Sequence, residues 1–214
     1  RHRMMAARSV RSQLLDRLPL MRGSYEAMAN LGGLSWFRIG GPAEVLFTPA
    51  DVEDLSAFLK ACPDDAPVTV IGLGSNMLVR DGGVPGVVVR LGKAFSAISV
   101  NKNILRCGAG IADASVANAA RDAELTGLEF LTGIPGTIGG ALRMNAGADG
   151  CEIKDVFVSA TALDGNGNVQ NLTAADMGFV YRSTVVDENW IFVGAELRGE
   201  PGDKDAITTR IREI

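Results

Sequence analysis

The chain has 214 residues, 47% of them hydrophobic and 21% charged, enough to bury a core in one or two domains and too apolar for a disordered polymer. Twenty-one Lys+Arg against 25 Asp+Glu leave a net charge of -4, so no chain-wide basic field neutralises a phosphate backbone, which argues against a nucleic-acid partner. The single histidine, His2, removes Ser-His-Asp triads, Cys-His dyads and histidine-based metal sites; no metal is expected.

Met4, Met5, Val10, Leu14, Leu15 and Leu18 recur at helical spacing until Pro19, which predicts an amphipathic helix, followed by a looser stretch to Gly33. Residues 1–30 are read as this helix and its lead-in. Glu44–Phe47 is strand-like, and Thr48, Pro49 and Asp51 supply an N-cap, an N1 proline and a first-turn acid for a helix with the face Val52, Leu55, Phe58, Leu59. Val68–Ile71, Met77–Val79 and Val87–Leu91 read as strands, separated by Gly72-Leu73-Gly74-Ser75-Asn76 and the Gly82-Gly83 turn. A β-α-β-β unit over residues 31–92 follows.

Residues 93–214 have a different texture. Ile98–Val100 and Ile104–Cys107 flank Asn101-Lys102-Asn103 like a hairpin, and Ala112, Val116, Ala119, Ala120 and Ala123 mark a small-residue helix. Gly127–Gly150 is glycine-studded and too irregular for either period. Val156–Leu163 and Val169–Leu172 predict a second hairpin, Thr173 with Asp176 a capping box, and Ile191–Leu197 a strand. Ile207, Ile211 and Ile214 form a helical stripe still running at the last residue, so this part is expected to be incomplete at its C-terminus. Cys62, Cys107 and Cys151 are odd in number and lack a CxxC spacing, which points to free thiols and a reducing, cytoplasmic compartment. No apolar run reaches membrane-spanning length, so no membrane partner is expected.

Two glycine-rich stretches could carry chemistry. Gly72-Leu73-Gly74 follows a strand, but Met77 stands where a dinucleotide fingerprint needs glycine, and no GxxxxGK[ST] occurs. The turn would expose successive N–H groups beside Ser75 and Asn76, which suits a pyrophosphate; an ordinary tight turn has the same composition. The second stretch runs Gly133-Ile134-Pro135-Gly136-Thr137-Ile138-Gly139-Gly140-Ala141 and closes with Met144-Asn145-Ala146-Gly147. Its backbone either hugs a large flat ligand such as a flavin or packs closely between domains.

Together with Trp36-Phe37-Arg38-Ile39-Gly40-Gly41-Pro42-Ala43, Met77-Leu78-Val79 and Tyr181-Arg182-Ser183, these stretches fall in the order and spacing of the UDP-N-acetylenolpyruvoylglucosamine reductase family, whose second, shorter type the chain resembles over residues 30–214. The resemblance implies an α+β fold, the FAD-binding fold of vanillyl-alcohol-oxidase type, with two α/β subdomains. It implies non-covalent FAD, NADPH as reductant, and reduction of UDP-N-acetylglucosamine enolpyruvate to UDP-N-acetylmuramate by a monomer in peptidoglycan precursor synthesis. Gly72, Leu73, Gly74, Ser75, Asn76 and Met77 would hold the pyrophosphate. Gly133, Ile134, Pro135, Gly136, Thr137, Gly139, Gly140, Ala141, Asn145 and Gly147 would line the flavin. Arg182 would be the substrate-activating cation, and Tyr181 would lie beside the substrate. The family's proton-donor serine and its late glutamate have no counterpart here, so the substrate domain is expected to be absent and the 214 residues inactive alone. Asp149 stands where many members carry tyrosine. Two other readings share these residues: another FAD-linked oxidoreductase of the same fold, or a flavin-binding module without catalysis.

Overall fold

The computed structural model describes residues 13–31, 42–71 and 83–214. Residues 13–17 are helical (α1) and bury Leu14. The β-branched runs of the first third form a four-stranded sheet in the order β1-β2-β4-β3, from β1 (Ser24–Asn30), β2 (Pro42–Thr48), β3 (Val68–Ile71) and β4 (Val84–Arg90). β2, β4 and β3 are parallel, as a crossover through helix α2 (Val52–Ala61) permits, and β1 lies antiparallel on the edge. Val87, Val88 and Val89 of the interior strand β4 are fully buried, the continuous apolar run expected of a strand covered on both faces.

The cap of α2 is Asp51, whose carboxylate accepts from the Asp54 N–H at 2.8 Å. Thr48 ends β2 instead of capping the helix. Asp54, itself buried, accepts N–H bonds from Arg22, Gly23 and Ala50, which ties the approach to β1 onto the start of α2. β1 falls in the stretch read as loose: Met28 adopts a positive φ and Ala29 alone in the strand is buried, so no period-2 pattern marks it. The strand expected at Met77–Val79 lies outside the described residues.

The second sheet is antiparallel throughout, in the order β11-β10-β12-β6-β5. It contains β5 (Ile98–Asn101), β6 (Ile104–Gly108), β10 (Phe157–Leu163), β11 (Val169–Leu172) and β12 (Ile191–Arg198). Between β6 and β10 the chain forms helix α3 (Asp113–Asp122), strand β7 (Leu125–Thr126), a 3-10 turn at Glu129–Gly133 and helix α4 (Ile138–Arg143). Short strands β8 (Gly147–Ala148) and β9 (Cys151–Glu152) and helix α5 (Ile153–Val156) follow. The glycine-studded segment is therefore built from pieces too short to show a period. Val156 closes α5, and the strand begins at Phe157.

Helix α6 (Ala174–Met177) starts from the expected capping box: Thr173 Oγ1 accepts from Asp176 N, and Asp176 accepts from Thr173 N. Strand β13 (Glu200–Pro201) pairs with β7, and α7 (Lys204–Glu213) buries Ile207 while Ile214 is exposed. Phe47, Phe58 and Val89 of the first sheet unit share one apolar core with Leu105, Val116, Leu131, Leu142 and Leu197 of the second. A further tie joins the two units: the Ser56 hydroxyl on α2 donates to the Gly167 carbonyl in the β10–β11 turn at 2.6 Å. Gly167 has φ +82, and a Cβ there would meet the Ser56 carbonyl oxygen at 2.5 Å, so glycine is required. Cys62, Cys107 and Cys151 are free thiols, and burial pushes Cys107 up to about 12. Among the described residues, no helix is long and apolar enough to cross a membrane, and no cluster of metal-ligating side chains forms.

Candidate functional site

The second glycine stretch becomes the floor of a cleft through backbone pairing. Thr137 bridges Ala112 in antiparallel fashion, Ile138 N donates to Ile111 O at 3.0 Å, and Gly139 N donates to Ala109 O at 2.9 Å. A Cβ on Gly139 would meet Ala109 Cβ and O at 3.3 Å, whereas one on Gly140 would meet nothing within 4 Å. The chain thus lies flat on its neighbour on one side and open on the other. The cleft above it holds about 560 Å³, with Leu59, Cys62, Val68 and Val70 on one wall, Arg143, Trp190 and Phe192 on the other, and Thr137, Gly139 and Gly140 between them.

Arg143 braces the second wall. Its guanidinium donates to the carbonyls of Val186, Asp187 and Trp190 and stands 4.6 Å from the Phe192 ring centroid. Burial holds this group below the usual arginine range. α4 therefore supplies both the glycine floor and the residue that fixes the segment opposite α2.

A second constellation joins residues 145–147 to the Tyr181-Arg182 turn. Val180 and Ser183 exchange N–H···O bonds at 3.0 and 3.2 Å, leaving Tyr181 and Arg182 at the tip, with Arg182 at φ +55. Tyr181 is 82% exposed. Arg182 Nη1 donates to Gly147 O at 3.0 Å, and its guanidinium carbon lies 5.4 Å from the Tyr181 ring centroid. Asn145 is fully buried; its Nδ2 donates to Glu152 Oε2 and Val180 O, and its Oδ1 accepts from Lys154 N.

Of the residues singled out in the sequence, Gly72, Leu73, Gly74, Ser75, Asn76 and Met77 lie outside the described residues. Thr137, Gly139 and Gly140 line the cleft. The neighbouring Gly133, Ile134, Pro135, Gly136 and Ala141 do not: Gly133 closes the 3-10 turn, Ile134 packs on the core, Pro135 is exposed, Gly136 O accepts from Asp113 N, and Ala141 is buried in α4. Asn145 and Gly147 join Arg182 and Tyr181 instead. Sequence reasoning missed Arg143, Trp190 and Phe192, which carry no local signature. It also missed Asp113, whose carboxylate is fully buried with no hydrogen-bond partner on either oxygen and is pushed up to about 8 by burial.

A family model described as an FAD binding domain matches residues 43–173. The UDP-N-acetylenolpyruvoylglucosamine reductase of Rhodospirillum rubrum is 53% identical over 98% of this chain and 66% of its own length. That of Parvibaculum lavamentivorans is 53% identical over 99% of the chain and 68% of its own length. The chain spans about two thirds of the length of the curated relatives it matches. Among solved structures, the UDP-N-acetylenolpyruvylglucosamine reductase of Thermus caldophilus superposes with a TM-score of 0.77 at 31% identity, covering 91% of this chain and 68% of that one. A cholesterol oxidase from Brevibacterium sterolicum shares the fold, at a TM-score of 0.62, 14% identity, and coverage of 86% of this chain and 40% of that one.

Proposed function

The chain belongs to the UDP-N-acetylenolpyruvoylglucosamine reductase family, and on that premise we propose that it forms the FAD-holding part of an enzyme that reduces UDP-N-acetylglucosamine enolpyruvate with NADPH to UDP-N-acetylmuramate. Its α+β fold is the FAD-binding fold of vanillyl-alcohol-oxidase type. The described residues fit the cofactor: a cleft lined by apolar residues such as Leu59, Val68, Val70, Trp190 and Phe192 and by polar ones such as Thr69, Arg143 and Asn189 has a floor of two glycines, one of which has nothing within 4 Å of a would-be Cβ. Thr137, Gly139 and Gly140 would hold the flavin there. Gly72, Leu73, Gly74, Ser75, Asn76 and Met77, which follow β3 in the sequence, would hold the pyrophosphate. FAD, when bound, supplies the two-electron chemistry that couples a nicotinamide to the substrate double bond.

The residues of this chain act on the substrate side. In the net reaction the enolpyruvyl double bond gains two hydrogens: NADPH contributes two electrons and one proton and becomes NADP⁺, and the second proton comes from solvent. Electron addition at the double bond builds negative charge that spreads into the adjoining carboxylate. Arg182 sits at an exposed tip with one nitrogen anchored on Gly147 O, leaving the rest of its planar fork to pair that carboxylate. Tyr181 stands beside it as a flat surface for the same ligand. We propose that the enzyme acts as a monomer in the cytoplasm, supplying cell-wall synthesis.

The observation that carries this reading is the glycine-floored cleft in a fold shared with the Thermus reductase. The test uses the protein at the full length of its relatives: purified, it should be yellow, bleach anaerobically with NADPH and recolour with UDP-N-acetylglucosamine enolpyruvate, yielding a product two mass units heavier. A protein that retains no flavin, or that bleaches and never recolours with this substrate, overturns the reading.

A further inference from the structure

Asn145 was singled out as a flavin-lining residue, yet its side chain is fully buried and each of its polar atoms already has a partner within the protein. Both amide hydrogens are spent, at 2.6 Å on Glu152 Oε2 and at 3.0 Å on Val180 O, and Oδ1 takes the Lys154 N–H at 3.0 Å. The residue is fully buried and adopts φ +41, a left-handed backbone that asparagine tolerates better than most residues. Three separate pieces of chain meet on this one amide: the run entering β8, the corner between β9 and α5, and the base of the turn that carries Arg182.

The same short run reaches Arg182 a second time. Two residues after Asn145, Gly147 O accepts from Arg182 Nη1 at 3.0 Å. A Cβ on Gly147 would lie 2.9 Å from Cys151 O and 3.2 Å from Arg182 Nη1, so a side chain here would push the guanidinium away. The Asn145 amide thus fixes the backbone of the turn while Gly147 fixes the head of the arginine that the turn displays. Arg182 has no burial of its own to hold it, and its positive φ is a costly conformation for arginine.

We infer that Asn145 is the positioning residue for Arg182, a buried amide that locks the Val180–Ser183 turn so that the guanidinium faces the substrate in one orientation. The inference rests on the reading of Arg182 as the substrate-facing cation. It separates Asn145 from cofactor binding, because every polar atom of the side chain is already committed within the protein.

The experiment uses the protein at the full length of its relatives, with Asn145→Gly, Arg182→Ala and the double variant. Glycine accepts the left-handed backbone, so the substitution removes the amide without adding strain. Asn145→Gly should keep its FAD content within twofold of the parent and bleach with NADPH within about threefold of the parental rate. Its recolouring with substrate should slow by about tenfold or more, since small misplacements of a catalytic group cost that much. In the Arg182→Ala background the same substitution should change recolouring by less than about twofold, because its route of action is already gone. Glu152→Gln, which keeps an oxygen for Asn145, should recolour close to the parent. Loss of FAD, equal slowing of both half-reactions, or multiplicative effects in the double variant overturns the inference while leaving the function of Arg182 standing. An Arg182→Ala protein that recolours at the parental rate overturns both. Should Asn145→Gly melt too low to assay, Asn145→Asp with Glu152→Gln, which keeps a hydrogen bond between the two side chains but removes the donor to Val180 O, runs the same cycle with the same readings.

Discussion

Arg182 and Asp113 are opposite cases of an ionisable residue, one exposed and the other fully buried. For Arg182 we expect a split effect: Arg182→Ala and Arg182→Lys bleach with NADPH near the parental rate but recolour with substrate at least about 10²-fold slower, Ala worse than Lys, as resolved by stopped-flow absorbance. Its exposure means the melting temperature should move by no more than about 2 °C. Asp113 should behave in reverse, with no kinetic signature and a large thermodynamic one. Its folded-state value of about 8 lies above the unfolded value of about 3.9, so between those limits the native state binds the extra proton. Stability contributed by this group is then present in acid and lost as pH rises from about 4 through 8. Asp113→Asn, which cannot ionise, should flatten that decline, and calorimetry at pH 8 should show it melting above the parent. Asp113 looks in the sequence like a solvated first-turn acid of α3, because nothing in Ala112-Asp113-Ala114 records that the Gly136–Thr137 backbone will lie across it.

At the scale of elements, α4 and the β10–β11 turn do the positioning. Gly140 is helical with an ordinary φ and an open Cβ direction, and valine costs a helix about as much as glycine or slightly less. Gly140→Val should therefore leave the flavin-free protein folded, by circular dichroism, and cut FAD content after purification at least about tenfold; stoichiometric FAD would place the flavin elsewhere. Gly167→Ala combines a positive φ with a Cβ 2.5 Å from the Ser56 carbonyl oxygen and should destabilise by about 2 kcal/mol or more in urea titrations, whereas Ser56→Ala, losing one hydrogen bond, should cost about 1 kcal/mol. Elements with a strong local signature were legible in advance. The Thr173/Asp176 capping box, the two hairpins and the β-branched strands beside α2 each carry their own chemistry. β1 and α4 were not, since β1 has an irregular backbone and a single buried residue, and α4 spans six residues of which two are glycine. Within the site, the glycine stretch announced close approach of a backbone, but which of its members face the cleft depends on pairing with residues 109–112, and that register is a tertiary fact.

Across the whole molecule, the cleft draws its lining from the end of α2 and β3, from Leu91 and Ala109, from Thr137, Gly139, Gly140 and Arg143, from Gly165 and from residues 188–192, which no stretch of sequence announces as one site. Arg143, Trp190 and Phe192 acquire meaning only when β12 closes beside α4. The two sheets share one core, so the wall carried by α2 is held in place by contacts formed from residues far down the chain. Ser56 and Gly167 stand 111 residues apart where they hydrogen-bond. Closing a loop of that length is entropically costly and is rewarded late, as for any topology dominated by distant pairings. Flavin capture is therefore expected to trail the acquisition of secondary structure on refolding, with quenching of flavin fluorescence lagging behind the far-ultraviolet signal. On the proposed reading, a nascent chain that stops short of residue 192 lacks part of the cleft lining, and FAD binding to the completed fold would draw folding forward by mass action.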